Sequence, residues 1–205
     1  MDRRLIVRNG IVVLAAALGA APALAQAKKS PVDVRAILDD PDAPVGGDPK
    51  GDVPIVIFFD YLCPSCRKAM PELARLARDD GHIKLIYKDW PILSKTSVVS
   101  AKLALAARYQ GKHEVAHKTL MALSGPRTEE DMTKALGAAG IDLARLQADL
   151  DSHDAEIVAL LQRNREQAEA LGLPGTPVFL IGPYKIAQPL DYEGFKRVVT
   201  QVRGR

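Results

Sequence analysis

Residues 53–59 read Val-Pro-Ile-Val-Ile-Phe-Phe, an apolar run with Pro54 near its start and Asp60 at its end. It narrows the available folds more than any other stretch of the chain. A strand with one wet face alternates apolar and polar residues, so a run apolar at nearly every position fits a strand covered on both faces. A helical pattern follows over about 64–79 and a second strand pattern over 82–87. Strand, helix, strand implies a parallel pair joined by a right-handed crossover.

From residue 94 to 171 the periodicity is helical throughout, over roughly 95–109, 112–123, 129–138, 143–150 and 153–171. Gly111 and Gly140 end turns, Thr128 with Asp131 resembles a capping box, and Asp142 is placed to cap the helix that follows it. Strand patterns return at 178–181 and near 185–187, and Asp191 is placed to cap a last helix ending near Val202. The chain therefore divides into an opening βαβ part at 53–93, a helical block of about 75 residues at 94–171, and a closing ββα part at 172–205.

At 205 residues, with 47% hydrophobic and 26% charged, the chain can bury a core without disulfide or metal staples and is not of disordered composition. Its net charge is +3. Three arginines less one aspartate in the first eight residues account for most of that, so the charge is no argument for nucleic acid. Residues 1–25 combine a basic start (Arg3, Arg4, Arg8), an apolar run broken by Pro22, and small residues at Ala23 and Ala25. This is the layout of a cleaved secretory signal, too short and too interrupted for a membrane span. Residues 26–52, rich in Pro, Gly and Asp, read as a loosely packed lead-in. Export implies an oxidising compartment, in a bacterium the periplasm.

There are two cysteines, Cys63 and Cys66, separated by Pro64 and Ser65, where the first strand turns into its helix. A disulfide closing so short a loop removes little chain entropy and makes a poor staple. Structural zinc needs four ligands and no second pair follows; c-type haem needs a histidine where Arg67 stands. Redox chemistry remains. Cys63 at a helix N-terminus faces unpaired N–H groups that favour its thiolate, the nucleophile of disulfide exchange. Cys66, one turn on, is placed to resolve, and Pro64 suits a first turn because its missing N–H would have been unpaired.

The segments Val-Pro-Ile-Val-Ile-Phe-Phe-Asp-Tyr-Leu-Cys-Pro-Ser-Cys (53–66), Tyr-Lys-Asp-Trp-Pro-Ile-Leu (87–93) and Gly-Leu-Pro-Gly-Thr-Pro-Val-Phe-Leu-Ile-Gly (172–182) together resemble the DsbA-like thiol:disulfide oxidoreductases. The resemblance covers most of 45–202. It implies an α/β thioredoxin fold, a central mixed sheet flanked by helices, with an inserted all-helical subdomain. It also implies a cis Pro177 after Thr176 beside the cysteines, where the neighbouring backbone would bind an extended substrate strand. The expected partners are reduced or unfolded secreted polypeptides and a DsbB-like or DsbD-like membrane redox partner; no cofactor, metal or nucleic acid is expected, and a monomer is favoured. Two departures stand out: Ile57 occupies the position where relatives usually carry a buried carboxylate, and Ser65 stands where the strongest oxidases carry histidine. The first leaves proton transfer during resolution to water or another group; the second points to an oxidant of moderate strength, with a disulfide isomerase or reductase as the rival within the same chemistry. Pro71 removes the hydrogen bond to the Arg67 carbonyl and should kink its helix.

His113-Glu114-Val115-Ala116-His117 matches the HExxH pattern of zinc proteases. No further ligand follows at suitable spacing, and the resemblance makes His117 a packing or surface residue. A copper-binding module using the two thiols is a non-enzymatic rival. His82 and His153 read as surface residues and Trp90 as core. Tyr61 and Leu62 read equally well as core or as an apolar rim for substrate.

Overall fold

The computed structural model describes residues 32–124 and 127–205. The leader reading at 1–25 and the first six residues of the lead-in lie outside them. The elements run α1 (Val34–Leu38), β1 (Val45–Gly47), β2 (Val53–Phe59), α2 (Pro64–Asp80), β3 (Ile83–Asp89), α3 (Lys95–Ala106), α4 (His113–Ala122), α5 (Glu129–Ala138), α6 (Leu143–Ala170), β4 (Val178–Ile181), β5 (Tyr184–Ile186) and α7 (Tyr192–Arg203). A 3₁₀ turn over Ala107–Gln110 carries α3 toward α4.

One five-stranded mixed sheet, in the order β1-β3-β2-β4-β5, organises the molecule. β2 and β3 run parallel, from Val53 opposite Ile83 to Phe59 opposite Asp89, and the other pairings are antiparallel. β2 is central and covered on both faces, as its continuous apolar run requires. Ile55, Ile57 and Phe59 pack with α2 residues Cys66, Met70 and Leu73, while Val56 and Phe58 pack with Ile37, Trp90 and Ala168 on the other side. No helix among the described residues is long and apolar enough to cross a membrane.

The structure corrects three expectations. The part of the lead-in it describes is not loosely packed: β1 is an edge strand on β3, Ile37 and Ala43 are buried, and Asp40 is almost wholly buried in an ion pair with Lys88. β3 extends two residues beyond its expected end, because Lys88 has that counter-ion from 48 positions away and can remain in the sheet. The helices expected at 143–150 and 153–171 are one helix, α6. Asp151 and Ser152 read as a break, yet neither removes a backbone hydrogen bond as proline would.

Candidate active site

Cys63 is the N-cap of α2. Its sulfur accepts the Cys66 backbone N–H at 3.4 Å and lies 3.3 Å from the Thr176 carbonyl oxygen, to which the thiol donates. The strand-to-helix turn is set by Asp60: its carbonyl accepts the Cys63 N–H, and its carboxylate accepts from the backbone N–H groups of Leu62, Ile92 and Leu93. One carboxylate thus fixes the cysteine loop to the loop after β3. Cys63 is 6% exposed and Cys66 0%, so burial pushes the Cys66 thiol well up, opposed more weakly by the Asp60 backbone and reinforced by Cys63. Pro64 is exposed on the first turn and Ser65 half-buried. The segment before β4 brings in half-buried Thr176 and buried Pro177, joined by a cis peptide bond. Cys63, Cys66 and Thr176 therefore meet across two loops 113 residues apart in the chain.

Arg67, next after Cys66, binds the site to the helical region: it donates from Nε to the Met121 carbonyl at 2.9 Å and from Nη2 to the Leu123 carbonyl at 2.6 Å. α2 runs through Pro71 as one helix. A cleft of about 630 Å³ between α2 and α4 is lined by Met70, Pro71, Tyr87, His117 and Met121, with Arg67 among its cationic residues.

The two histidines of the HExxH pattern are buried against Tyr87, and Glu114 points outward to pair with Lys118 at 2.7 Å. The histidine rings are thus packed in the core and the glutamate is committed to a surface ion pair. Burial drives His117 well below the usual histidine range and His113 to about 3, so both are neutral. Among the described residues no group of three or more His, Cys, Asp or Glu is disposed around a metal position. Tyr61 belongs to the core, its hydroxyl 3.2 Å from His117 Nδ1, while Leu62 is half-buried. Trp90 is buried edge-on to Phe58. His82 is exposed, and His153 stacks on Tyr109 with ring centroids 3.7 Å apart.

Two site carboxylates escaped sequence reasoning. Asp60 read as the boundary of a strand and Asp89 lay beyond the strand expected at 82–87; both are 1% exposed. The only available signal was their placement at matching ends of two apolar runs.

Comparison with known proteins places this geometry among relatives. The profile of a family described as Thioredoxin matches residues 39–201. A thioredoxin-like oxidoreductase from Silicibacter pomeroyi DSS-3, solved as a crystal structure, superposes with a TM-score of 0.79 at 36% identity, covering 84% of this chain and 99% of that one. The thiol:disulfide interchange protein DsbA of Bordetella parapertussis is 26% identical over 171 residues, covering 78% of this chain and 79% of that protein. A Na(+)/H(+) antiporter NhaA 1 from Mycobacterium sp. (strain KMS) is 24% identical over 150 residues, or 72% of this chain. The chain spans about a quarter (24%) of that antiporter's length.

Proposed function

The chain belongs to the thioredoxin family and is DsbA-like, and from that premise we propose that it exchanges disulfides with other polypeptides through Cys63 and Cys66. The observation that carries this reading is the Cys63 sulfur at the head of α2, accepting a backbone N–H and facing the Thr176 carbonyl. An N-cap sulfur gains as a thiolate from the N–H groups and dipole it faces. A deeply buried Cys66 is screened from outside reagents and reacts with its neighbour.

In the oxidising direction a substrate thiolate attacks Cys63 of the Cys63–Cys66 disulfide, and Cys66 leaves. The substrate's second thiol then breaks the mixed disulfide, carrying away the new disulfide and leaving both cysteines reduced. In the reducing direction the Cys63 thiolate attacks first and Cys66 resolves. On this reading the backbone at Thr176 and Pro177 holds an extended strand over Cys63 without demanding a sequence.

The finer reading is a monomeric periplasmic enzyme acting on secreted polypeptides, an oxidase of moderate strength reset by a DsbB-like or DsbD-like membrane partner. Its leader-like residues 1–25 and the absence of a charged residue at Ser65 support it. A glutathione redox titration of the Cys63–Cys66 pair, with iodoacetamide labelling of Cys63 as the readout, tests it. A potential near about −120 mV favours oxidase duty and one near about −270 mV favours reduction. A dithiothreitol-treated protein whose Cys63 resists alkylation at neutral pH overturns the whole assignment.

A further inference from the structure

The cleft between α2 and α4 takes no part in the exchange steps above, and neither the two cysteines nor Thr176 and Pro177 line it. Its walls are apolar: Met70 and Leu73 come from α2, Leu85 and Tyr87 from β3, and Met121 from α4. Its volume of about 630 Å³ lies within the range of small-molecule sites, about 300–1,000 Å³. What such a space accepts is decided by the few polar atoms that open into it.

One of them belongs to His117, which lines the cleft and is 4% exposed. The Tyr61 hydroxyl stands 3.2 Å from its Nδ1. That phenol lies near Asp89 as well, but among the described residues neither Asp89 oxygen has a hydrogen bond of ordinary geometry, so the phenol donates to Nδ1. Burial keeps the ring neutral, and a neutral imidazole that accepts at Nδ1 carries its proton at Nε2. That Nε2 has no partner among the described residues, yet unlike His113 Nε2 it is not sealed in the core, so it opens on the cleft. Arg67 brings a second open donor: Nε and Nη2 serve the Met121 and Leu123 carbonyls, while Nη1 has no partner among the described residues. Met121 follows His117 by four residues, about 6 Å along one face of α4, so guanidinium and imidazole stand about a turn apart. The charge of the lining agrees. Lys118 is paired with Glu114 and Arg75 with Asp79, whereas Arg67 and Arg78 have no carboxylate partner among the described residues and Glu72 is the one acidic residue of the lining. Two unpaired N–H donors and a cationic balance call for an anionic head, and the walls beside them call for a hydrocarbon body.

We propose that this cleft is a binding site for a single-chain amphiphilic carboxylate, its head held by Arg67 Nη1 and His117 Nε2 and its chain laid along Met70, Leu73, Leu85, Tyr87 and Met121. An extended polypeptide suits the cleft less well, because it brings backbone donors as well as acceptors and the lining side chains offer mostly donors. The site is built without the cysteines, so it stands or falls apart from the exchange reading.

Its test is calorimetric titration of the full-length protein at neutral pH with three probes of one chain length: decanoate, decanol and decyltrimethylammonium. Decanoate should bind one per chain with a Kd of about 100 μM or tighter. Decanol, which has the body without the charge, should bind about 10-fold or more weakly, and the ammonium should show no saturable binding. His117→Phe keeps a ring against Phe59 and Tyr87 but removes the donor, so it should weaken decanoate about 10-fold and leave decanol unchanged. Ala122→Trp, an exposed position on the cleft lining, fills the space and should abolish binding of both. Decanol binding as tightly as decanoate would make the cleft a plain apolar face, suited to a polypeptide partner, and overturns the proposal. So does an Ala122→Trp protein with wild-type decanoate affinity, or a wild type with no saturable decanoate binding up to about 2 mM. If His117→Phe does not fold, the probe comparison and Ala122→Trp decide the matter.

Discussion

Asp89, buried at the end of β3 with neither carboxylate oxygen in a hydrogen bond of ordinary geometry, fixes the sign of a stability effect. Its carboxyl sits at about 7 in the folded protein, against about 3.9 for an unperturbed aspartate. Between those values the unfolded chain has released a proton that the folded chain keeps, so stability falls as pH rises through the window. Three units of difference set an upper bound of about 4 kcal/mol on that loss. Asp89→Asn should therefore match the wild type near about pH 4 and exceed it by a few kcal/mol above about pH 7. Urea unfolding midpoints at the two ends of the range measure this. A gap between variant and wild type that stays constant with pH would mean the carboxylate is solvated and the buried placement mistaken.

At the scale of elements, α2 carries the chemistry and Arg67 anchors it. The guanidinium spans two carbonyls at the C-terminal end of α4, a task suited to its planar fork and not to a single ammonium. Hydrogen bonds from a charged donor contribute about 1.5–3 kcal/mol each. Arg67→Lys should retain one of the two and lose a comparable amount in chemical denaturation, while Cys63 stays open to alkylation. A denaturation midpoint equal to wild type would show the clamp to be energetically idle. The elements themselves were largely legible in the sequence, because β2, α2 and the cysteine turn are written in local patterns of apolar spacing, proline and caps. Thr128 forms its capping box with Asp131, and Ser94, Asp142 and Asp191 cap their helices. What stayed hidden depended on distant partners. Lys88 lay beyond the expected end of its strand, because the Asp40 counter-ion that lets it stay in the sheet comes from 48 positions away. The HExxH pattern lacked a further ligand already in the sequence, but that both its histidines pack in the core against Tyr87 was not legible there.

The same dependence on distant partners governs the molecule as a whole. Asp40, in the segment that read as a lead-in, accepts from Lys88 Nζ at 2.6 Å and from Arg163 at 3.0 and 3.1 Å, joining the N-terminal segment, the sheet and α6. Burial opposes ionisation of Asp40, but Arg163 and Lys88 outweigh it and hold the carboxyl below its usual value. The same burial lowers Lys88 despite Asp40. The pair thus carries a desolvation cost, and deleting one member is far worse than never having had either. Because the Asp40 shift is downward, its contribution is full above about pH 4 and is lost as pH falls below that value. Asp40→Asn strips Lys88 of its anion inside the core and should cost about 3–5 kcal/mol. Trp90, the only tryptophan, packs with Phe58 and Ala168 where the sheet meets α6, so its fluorescence reports that junction, while circular dichroism reports mainly the helices. If Asp40 holds sheet and α6 together, the variant shifts both signals to one lower midpoint. Two separated transitions, with the helical signal unmoved, would mean instead that the helices between β3 and β4 stand without the ion pair.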